Sequence, residues 1–249
     1  MNTPAKSMTF GEGLVFAYRE SWAFLIACPL LAAIPMLAEF AQHVGEMHIG
    51  MYDGIDSAAA AEDDPLRMGL GVVKTLAMSV SIFWMIRFYH GGRDVQAAHS
   101  FPARPVKLFS VVVALQLLLT LLSLFVFTPD DPVGIGFLVF GFILGPLLAR
   151  FTAAAPLGIW ISPLRSIRQL LPRIIFAVGF SVIAMLPVMI LHYALNIGAV
   201  LVQPEALKWA MHVVDSLVVG WLAALLTAIL YVVSVRPGPL EEARPPAKA

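Results

Sequence analysis

Seven polar side chains that can carry charge or bind ligands lie inside long apolar stretches of this chain, or at the ends of those stretches. They are Glu39, His43, Lys74, His192, Asn196, His212 and Asp215. Ionisable side chains within a membrane cost roughly 2.5–3.5 kcal/mol each on insertion scales, so they are candidates for function by default. The pattern predicts a polar pocket that opens to the outside, where histidines supply protonatable or ligand-binding groups.

The depth of these residues supports a common layer. At 1.5 Å per residue, Lys74 lies roughly 9 Å inside its apolar stretch. His212 and Asp215 are three residues apart and therefore share one face of a helix. We expect Lys74 to pair with Asp215 or with Glu39. The alternative is that the Lys74 ammonium extends outward to the interface, while Glu39 and His43 lie among lipid headgroups.

Motifs for metal binding or catalysis are not visible in the sequence. The histidines form no His-x-x-x-His pair within an apolar stretch, and the only cysteine, Cys28, is too few for a thiolate site. No phosphate-binding loop, nucleophile elbow or zinc-protease motif occurs. The sequence predicts no metal, no cofactor and no enzymatic activity, with a membrane-embedded enzyme as the least favoured class.

The composition determines what must surround these residues. Of the 249 residues, 59% are hydrophobic and 13% are charged, against roughly 25% charged in soluble domains. The bulk of the chain must therefore face lipid. The net charge is zero, which gives no reason to expect nucleic acid as a partner. We predict an all-α polytopic membrane protein with six transmembrane helices, at about 22–40, 68–86, 108–127, 133–149, 174–201 and 209–235.

The distribution of basic residues orients these helices. Of the 16 Lys and Arg, all but Arg67, Lys74 and Lys208 fall in segments on one side of the membrane. This positive-inside pattern predicts a multi-pass protein of a bacterial inner membrane with both termini in the cytoplasm. We expect three hairpins, with short cytoplasmic interfacial helices before spans one, three and five. Residues 1–21 form the first such segment, and residues 236–249 are expected to be a disordered tail.

Individual proline, arginine and serine residues add local predictions at three places along the chain. Pro29 and Pro35 within span one predict a kink and not a break. Arg150 follows span four and is expected to extend to the inner interface. In segment 162–173, Ser162 can cap a basic amphipathic helix that starts at Pro163. Its basic residues are candidate lipid-headgroup contacts: Arg165, Arg168 and Arg173.

The stretch from Ser162 to Arg173, SPLRSIRQLLPR, runs directly into a span that contains a proline. Together with Arg19-Glu20-Ser21-Trp22, it resembles a poorly characterised group of bacterial six-span inner-membrane proteins. That group includes the membrane domain fused to some glycerophosphodiester phosphodiesterases. The resemblance implies a membrane fold in an envelope or lipid setting. No phosphodiesterase domain is present, so no catalytic residue carries over.

Two functions follow as expectations. The first is an accessory or structural role in the cell envelope, associated with membrane lipids and with another membrane protein as a further candidate partner. The alternative is a small transporter or permease-like protein with an outward-facing site around Lys74 and Asp215. A proton-linked or ion-linked mechanism would use the intramembrane charges, whereas an accessory role would not require them.

Overall fold

The computed structural model describes residues 8–128 and 132–242, and within these residues the chain forms helices and no strand. The α-helices are α1 (Phe10–Ala27), α2 (Pro29–His48), α3 (Ile55–Ala60), α4 (Pro65–His90), α5 (Val95–His99), α6 (Ala103–Phe125), α7 (Pro132–Leu147), α8 (Ala149–Ala154), α9 (Pro163–Leu170), α10 (Ile174–Leu201) and α11 (Glu205–Val235). Short 3₁₀ turns cover Met51–Asp53, Ala155–Leu157 and Leu171–Arg173. The predicted all-helical class is confirmed for this part of the chain.

Helix length and apolarity make the protein a multi-pass membrane protein. Helix α4, helix α6, the run from α9 through α10, and helix α11 are each long and apolar enough to cross a membrane. Two bent pairs, α1 with α2 and α7 with α8, raise the number to six if each pair is one span.

The first bent pair corrects the expectation for Pro29. Helices α1 and α2 meet at an angle of 99°, which is a break and not a kink. Cys28 lies between them with φ −128° and ψ 56°, because a residue before proline is disfavoured in the helical region. The helix after the break therefore covers Pro29–His48 and not 22–40. Pro35 remains inside α2.

The second bent pair corrects the expectation for Arg150. Helices α7 and α8 are bent by 49°, and Arg150 in α8 is only 3% exposed. Its guanidinium donates to the carbonyl oxygens of Ser234 at 2.7 Å, Gly238 at 2.8 Å and Pro239 at 2.7 Å. Arg150 therefore binds the chain after α11 and does not extend to headgroups.

These contacts also change the expectation for the tail. Residues 236–242 are held against α8, and Leu240 in this segment is buried. Residues 1–7 and 243–249, which belong to the predicted interfacial segment and tail, lie outside the described residues.

Helix α11 is the centre of the bundle. In its most apolar window 83% of the residues are buried, against 11% for α6. Helices α1, α2, α4 and α10 pack around α11, whereas α6 and α7 lie at the periphery and contact each other at few positions. We define the upper end of the bundle as the end where α2 and α10 finish and α4 and α11 begin. This is the end predicted to be outer, and it brings four helices together.

Candidate functional site

A group of buried polar side chains occupies the upper end of the bundle. We call it the polar centre: Glu39, His43 and Glu46 from α2, Tyr52 from the following turn, Lys74 from α4, His192 and Asn196 from α10, and His212 and Asp215 from α11. Asp215 is fully buried, and Glu39, His43 and His212 expose 1% each. Buried polar groups must find partners, because an unpaired charge is strongly disfavoured in a low-dielectric interior.

Helix periodicity and close packing align these residues. Glu39, His43 and Glu46 are spaced by four and three residues, so they line one face of α2. That face approaches α11 closely at Gly220, where an added Cβ would lie 2.3 Å from Cγ of Met36. Glycine at position 220 thus lets the backbones of α2 and α11 pack tightly.

The imidazole of His43 is the hub of the polar centre. Its Nε2 lies 3.0 Å from Oδ2 of Asp215 and 3.4 Å from Oε1 of Glu39. Its Nδ1 lies 3.2 Å from Oε2 of Glu46 and 3.2 Å from the hydroxyl oxygen of Tyr52. Both ring nitrogens therefore face oxygen atoms, and His43 links α2 to α11.

Tyr52 fixes the orientation of Glu46. Its hydroxyl donates to Oε2 of Glu46 at 2.8 Å. Burial, together with the nearby negative charge of Glu46, raises the pKa of Tyr52 well above its usual range. The phenol therefore keeps its proton and remains a donor. The backbone carbonyl of Tyr52 in turn accepts a hydrogen bond from Lys208 Nζ.

Side chains of helix α10 contact the Asp215 carboxylate from the side opposite α2. Nδ1 of His192 lies 2.8 Å from Oδ1 of Asp215, and the Asn196 amide donates to Oδ2 at 2.9 Å. The Asp215 carboxylate thus receives groups from α2 and from α10 at once. His212 completes the layer, because its ring stacks on His43 with a centroid distance of 4.3 Å.

Two fixed cations from α4 neutralise the α2 carboxylates. Nζ of Lys74 lies 3.0 Å from Oε2 of Glu39, and Nε of Arg67 lies 3.3 Å from Oε1 of Glu46. The contacts of Asp215 across the polar centre are instead made by two imidazoles and an amide. The charge balance around Asp215 therefore depends on two imidazoles, which can bind a proton, and on a neutral amide.

A cavity of about 280 Å³ adjoins the polar centre. Arg67, Lys74 and Gln42 line one part of it, and hydroxyl side chains from α4 and α6 line another: Thr75, Thr120 and Ser123. The cavity contacts both cations that pair with the buried carboxylates. It therefore places space for a ligand next to the polar centre.

The structure brings together all six residues of the predicted intramembrane cluster, namely Glu39, Lys74, His192, Asn196, His212 and Asp215. Of the two partners expected for Lys74, it takes Glu39, and Asp215 contacts histidines. The alternative that Glu39 and His43 lie among headgroups is wrong, because both are buried within the bundle.

Glu46, Tyr52 and Arg67 were not among the residues predicted for this cluster. Glu46 fell in the predicted loop because span one was expected to end at residue 40, whereas α2 continues to His48. The helical spacing of Glu39, His43 and Glu46 was the signal that could have extended the helix. Tyr52 carried no comparable signal, since its contacts depend on the turn that follows α2.

The three predicted headgroup contacts lie at the lower end. Ser162 caps α9 by accepting a hydrogen bond from the backbone N–H of Arg165 at 3.3 Å, and Pro163 occupies the first helical turn. Arg168 and Arg173 are exposed, and Arg165 is half-buried. Leu164 and Leu171 are also exposed. This segment therefore presents basic and apolar groups on one surface.

One group of side chains has the composition of a metal site. Glu39, His43 and Asp215 each offer one ligand atom, and these atoms lie within 4.8 Å of one another. No sequence motif marks such a site, because its members come from two helices that are distant along the chain. Comparisons with protein-family models, curated proteins and solved structures find no match.

Proposed function

We propose that this protein is a small transporter or permease-like protein of a bacterial inner membrane, with a proton-linked or ion-linked site at the polar centre. Its six spans would be α2, α4, α6, α7 with α8, α10 and α11, arranged as three hairpins. Helices α1, α5 and α9 would lie on the cytoplasmic surface before spans one, three and five. The upper end would face the outside.

The observation that carries this proposal is the position of Asp215. It lies between two hairpins, because its partners His43 and His192 come from α2 and α10. Transporter sites are commonly formed between helix pairs that move relative to one another, near broken helices. The interface of the α2–α4 pair with the α10–α11 pair has the first of these features, whereas the α1–α2 break at Cys28 lies at the opposite end of α2 from the polar centre.

A purely structural role explains this arrangement less well. Replacing a buried ionic network with apolar side chains often leaves stability unchanged or raises it. Intramembrane ionisable groups are therefore more readily explained by function. The adjacent cavity, which Lys74 and Arg67 line, gives a ligand access to the same charges.

The topology can be tested with reporter fusions. A periplasmic reporter placed after Asp56 should be active, and the same reporter placed after Arg168 should be inactive. The reverse pattern would overturn the orientation, and activity at both positions would overturn the number of spans between them.

Transport can be tested in proteoliposomes. Purified protein is reconstituted, a pH gradient or a gradient of a divalent metal ion is imposed, and an indicator dye inside the vesicles reports the flux. We expect flux in the wild type and at least a tenfold lower rate in Asp215→Asn. Asp56→Asn, which changes an exposed aspartate of α3, is the matched control and should retain the flux. Absence of both fluxes in the wild type would overturn the transport proposal.

The basic surface around α9 favours a second candidate function, a lipid-associated accessory role. Arg168 and Arg173 are exposed beside Leu164 and Leu171, as expected for contact with anionic headgroups. Mass spectrometry of lipid that copurifies with the protein should then show enrichment of anionic lipid, which Arg168→Gln with Arg173→Gln reduces. Equal lipid content in the wild type and this variant would contradict the accessory role.

A further inference from the structure

We propose that Glu39, His43 and Asp215 form a binding site for a divalent first-row transition-metal ion. This inference deepens the proposed function, because it assigns a ligand class to the same polar centre. It rests on the arrangement of the three ligand atoms, on the groups that orient them and on an unpartnered histidine nitrogen beside them.

The distances between the ligand atoms suit a metal ion. Nε2 of His43 is 3.0 Å from Oδ2 of Asp215 and 3.4 Å from Oε1 of Glu39. Ligands held about 2.0–2.2 Å from a tetrahedral Zn²⁺ are separated by about 3.3–3.6 Å. All three ligand atoms lie within 4.8 Å of one another, so side-chain adjustments would bring them to the separations that an ion requires.

Each of the three ligands is oriented by a separate partner on its far side. Nδ1 of His43 faces Oε2 of Glu46 at 3.2 Å, which leaves Nε2 directed at the two carboxylates. Metal-binding histidines are typically oriented in this way by a carboxylate on the other ring nitrogen. Oε2 of Glu39 contacts Lys74, Oδ1 of Asp215 contacts His192, and Oδ2 of Asp215 also accepts a hydrogen bond from the Asn196 amide at 2.9 Å.

The inner atoms need a hydrogen or a metal ion between them. A neutral imidazole with its proton on Nδ1 presents a lone pair at Nε2, which would face two carboxylate oxygens without a hydrogen. Either a proton on Nε2 or a metal ion resolves this arrangement. The contacts are compatible with a metal ion, because Nε2 of His43 and Oε1 of Glu39 face each other, and Oδ2 of Asp215, which accepts a hydrogen bond from Asn196, keeps a second lone pair.

His212 supplies the independent observation. Its side chain is 1% exposed, and its Nε2 has no hydrogen-bond partner among the residues that the structure describes. The ring lies 4.3 Å from that of His43 and shares a helix face with Asp215. A buried imidazole nitrogen with no hydrogen-bond partner among the described residues, beside three candidate ligands, is consistent with a further group in this layer, such as an ion or an ion-bound water.

The donor set points to a class of ion. One imidazole and two carboxylates suit ions such as Zn²⁺, Mn²⁺ or Fe²⁺, whereas Ca²⁺ and Mg²⁺ prefer sites made of oxygen atoms. Three protein ligands leave a coordination position open, as in sites that exchange a ligand. Lys74 exposes 23% of its side chain and borders the adjacent cavity, so it can move when a cation reaches Glu39.

The test is metal binding by the full chain in detergent. The protein is treated with a chelator, and ZnCl₂ or MnCl₂ is added while calorimetry and elemental analysis measure affinity and stoichiometry. We expect one ion per chain, an excess of Mg²⁺ that does not compete, and weaker binding at lower pH because protons compete for His43. His43→Gln and Asp215→Asn should weaken binding by at least 100-fold.

Further variants keep the test informative if those two fail to fold. Glu46→Gln, which keeps all three ligands and changes the group behind His43, should weaken binding by about 10–100-fold. His99→Gln, in an exposed position at the lower end, is the matched control and should bind as the wild type does. Binding that survives in His43→Gln and Glu46→Gln, or no stoichiometric ion in the wild type, would mean a surface or adventitious ion only and would overturn the metal site.

The outcomes also separate this inference from the proposed function. Stoichiometric metal binding without any flux in vesicles would leave the metal site standing and overturn transport. Proton flux that depends on Asp215 in a protein that binds no metal would leave transport standing and overturn the metal site.

Discussion

The two ends of the helical bundle bury charge in different ways. At the lower end, Arg150 is surrounded by three backbone carbonyl oxygens. Glu20 accepts two hydrogen bonds from Arg93, at 2.8 Å and 3.0 Å. These partners have fixed charges or dipoles. At the upper end, Asp215 is shared by His43 and His192, and an imidazole can bind a proton or a metal ion.

This difference separates structural charge from functional charge. A guanidinium that donates to backbone carbonyls satisfies their hydrogen-bonding needs, and these donors are then not available to a ligand. Imidazoles and carboxylates that face one another leave a position for a proton or a metal ion, and His212 adds a nitrogen without a hydrogen-bond partner among the described residues. We therefore expect changes at the lower end to alter stability and changes at the upper end to alter ligand binding.

The largest expected effect is at Arg150. Arg150→Met removes the donors to Ser234, Gly238 and Pro239 but retains apolar volume, so those carbonyls lose their charged partner. Because hydrogen bonds to charged groups contribute about 1.5–3 kcal/mol each, we expect a loss of about 4 kcal/mol in the free energy of unfolding. Thermal unfolding in detergent measures it. Proteolysis should then also cleave the chain after α11 more readily.

Arg168→Met is the control for this prediction, because Arg168 is exposed at the same end. It should leave the unfolding temperature unchanged. Equal behaviour of the two variants would contradict the structural role assigned to Arg150.

The second prediction concerns stabilisation by metal. At a free Zn²⁺ concentration of 100 times the dissociation constant, a ligand that binds only the folded state adds about 2.7 kcal/mol to the stability. We expect this increase in the wild type, measured as a rise in the unfolding temperature. His43→Gln should abolish it, whereas Glu20→Gln at the lower end should preserve it. A loss of the increase in both variants would mean that the two ends are not independent.

The third prediction addresses the ion pair of Lys74 with Glu39. Lys74→Met leaves a carboxylate that is 1% exposed without its cation. Breaking a buried pair costs about 3–5 kcal/mol, and the partial exposure of Lys74 reduces the expected loss to about 2 kcal/mol. The double variant Lys74→Met with Glu39→Gln should recover most of it, because the buried charge is gone. Strictly additive losses in this cycle would contradict the pairing.

The sequence predicted part of this architecture well. Helical rise and spacing were sufficient to place Lys74, His192 and Asp215 in one layer, because the membrane gives a common depth scale. Glu46 was missed because the sequence did not show that the break at Cys28 shifts the start of α2 to Pro29 and its end to His48. Local sequence defines where a helix can form, but neighbouring helices decide where it begins.

Partner identity was even less accessible from the sequence. Arg150 was expected at the interface because an arginine after an apolar span usually extends to headgroups. Its actual partners are carbonyl oxygens more than 80 residues later in the chain. The same limitation hid the ligand set, since His43 and Asp215 meet only through the packing of α2 on α11.

The smallest expected effect is at Arg93. It tests whether changes at the lower end leave metal binding at the upper end unaffected. Among the described residues, Arg93 is the one residue other than glycine with a positive φ, which is 73°. Its hydrogen bonds to the Glu20 carboxylate raise the pKa of Arg93. Arg93→Lys keeps the charge but loses the two parallel hydrogen bonds to Glu20. Since exposed ion pairs contribute little, we expect the unfolding temperature to fall by no more than about 2 °C.

Arg93→Gly completes this test, because glycine relieves the left-handed backbone but removes the ion pair. If Arg93→Gly is as stable as the wild type, the backbone strain and the ion pair offset each other, and Glu20 is held sufficiently by Arg19, whose Nε lies 2.9 Å away. If either Arg93 variant changes the affinity for zinc, the lower end is energetically coupled to the polar centre, with α4 as the connecting helix. The distinction between structural charge at the lower end and functional charge at the upper end would then be wrong.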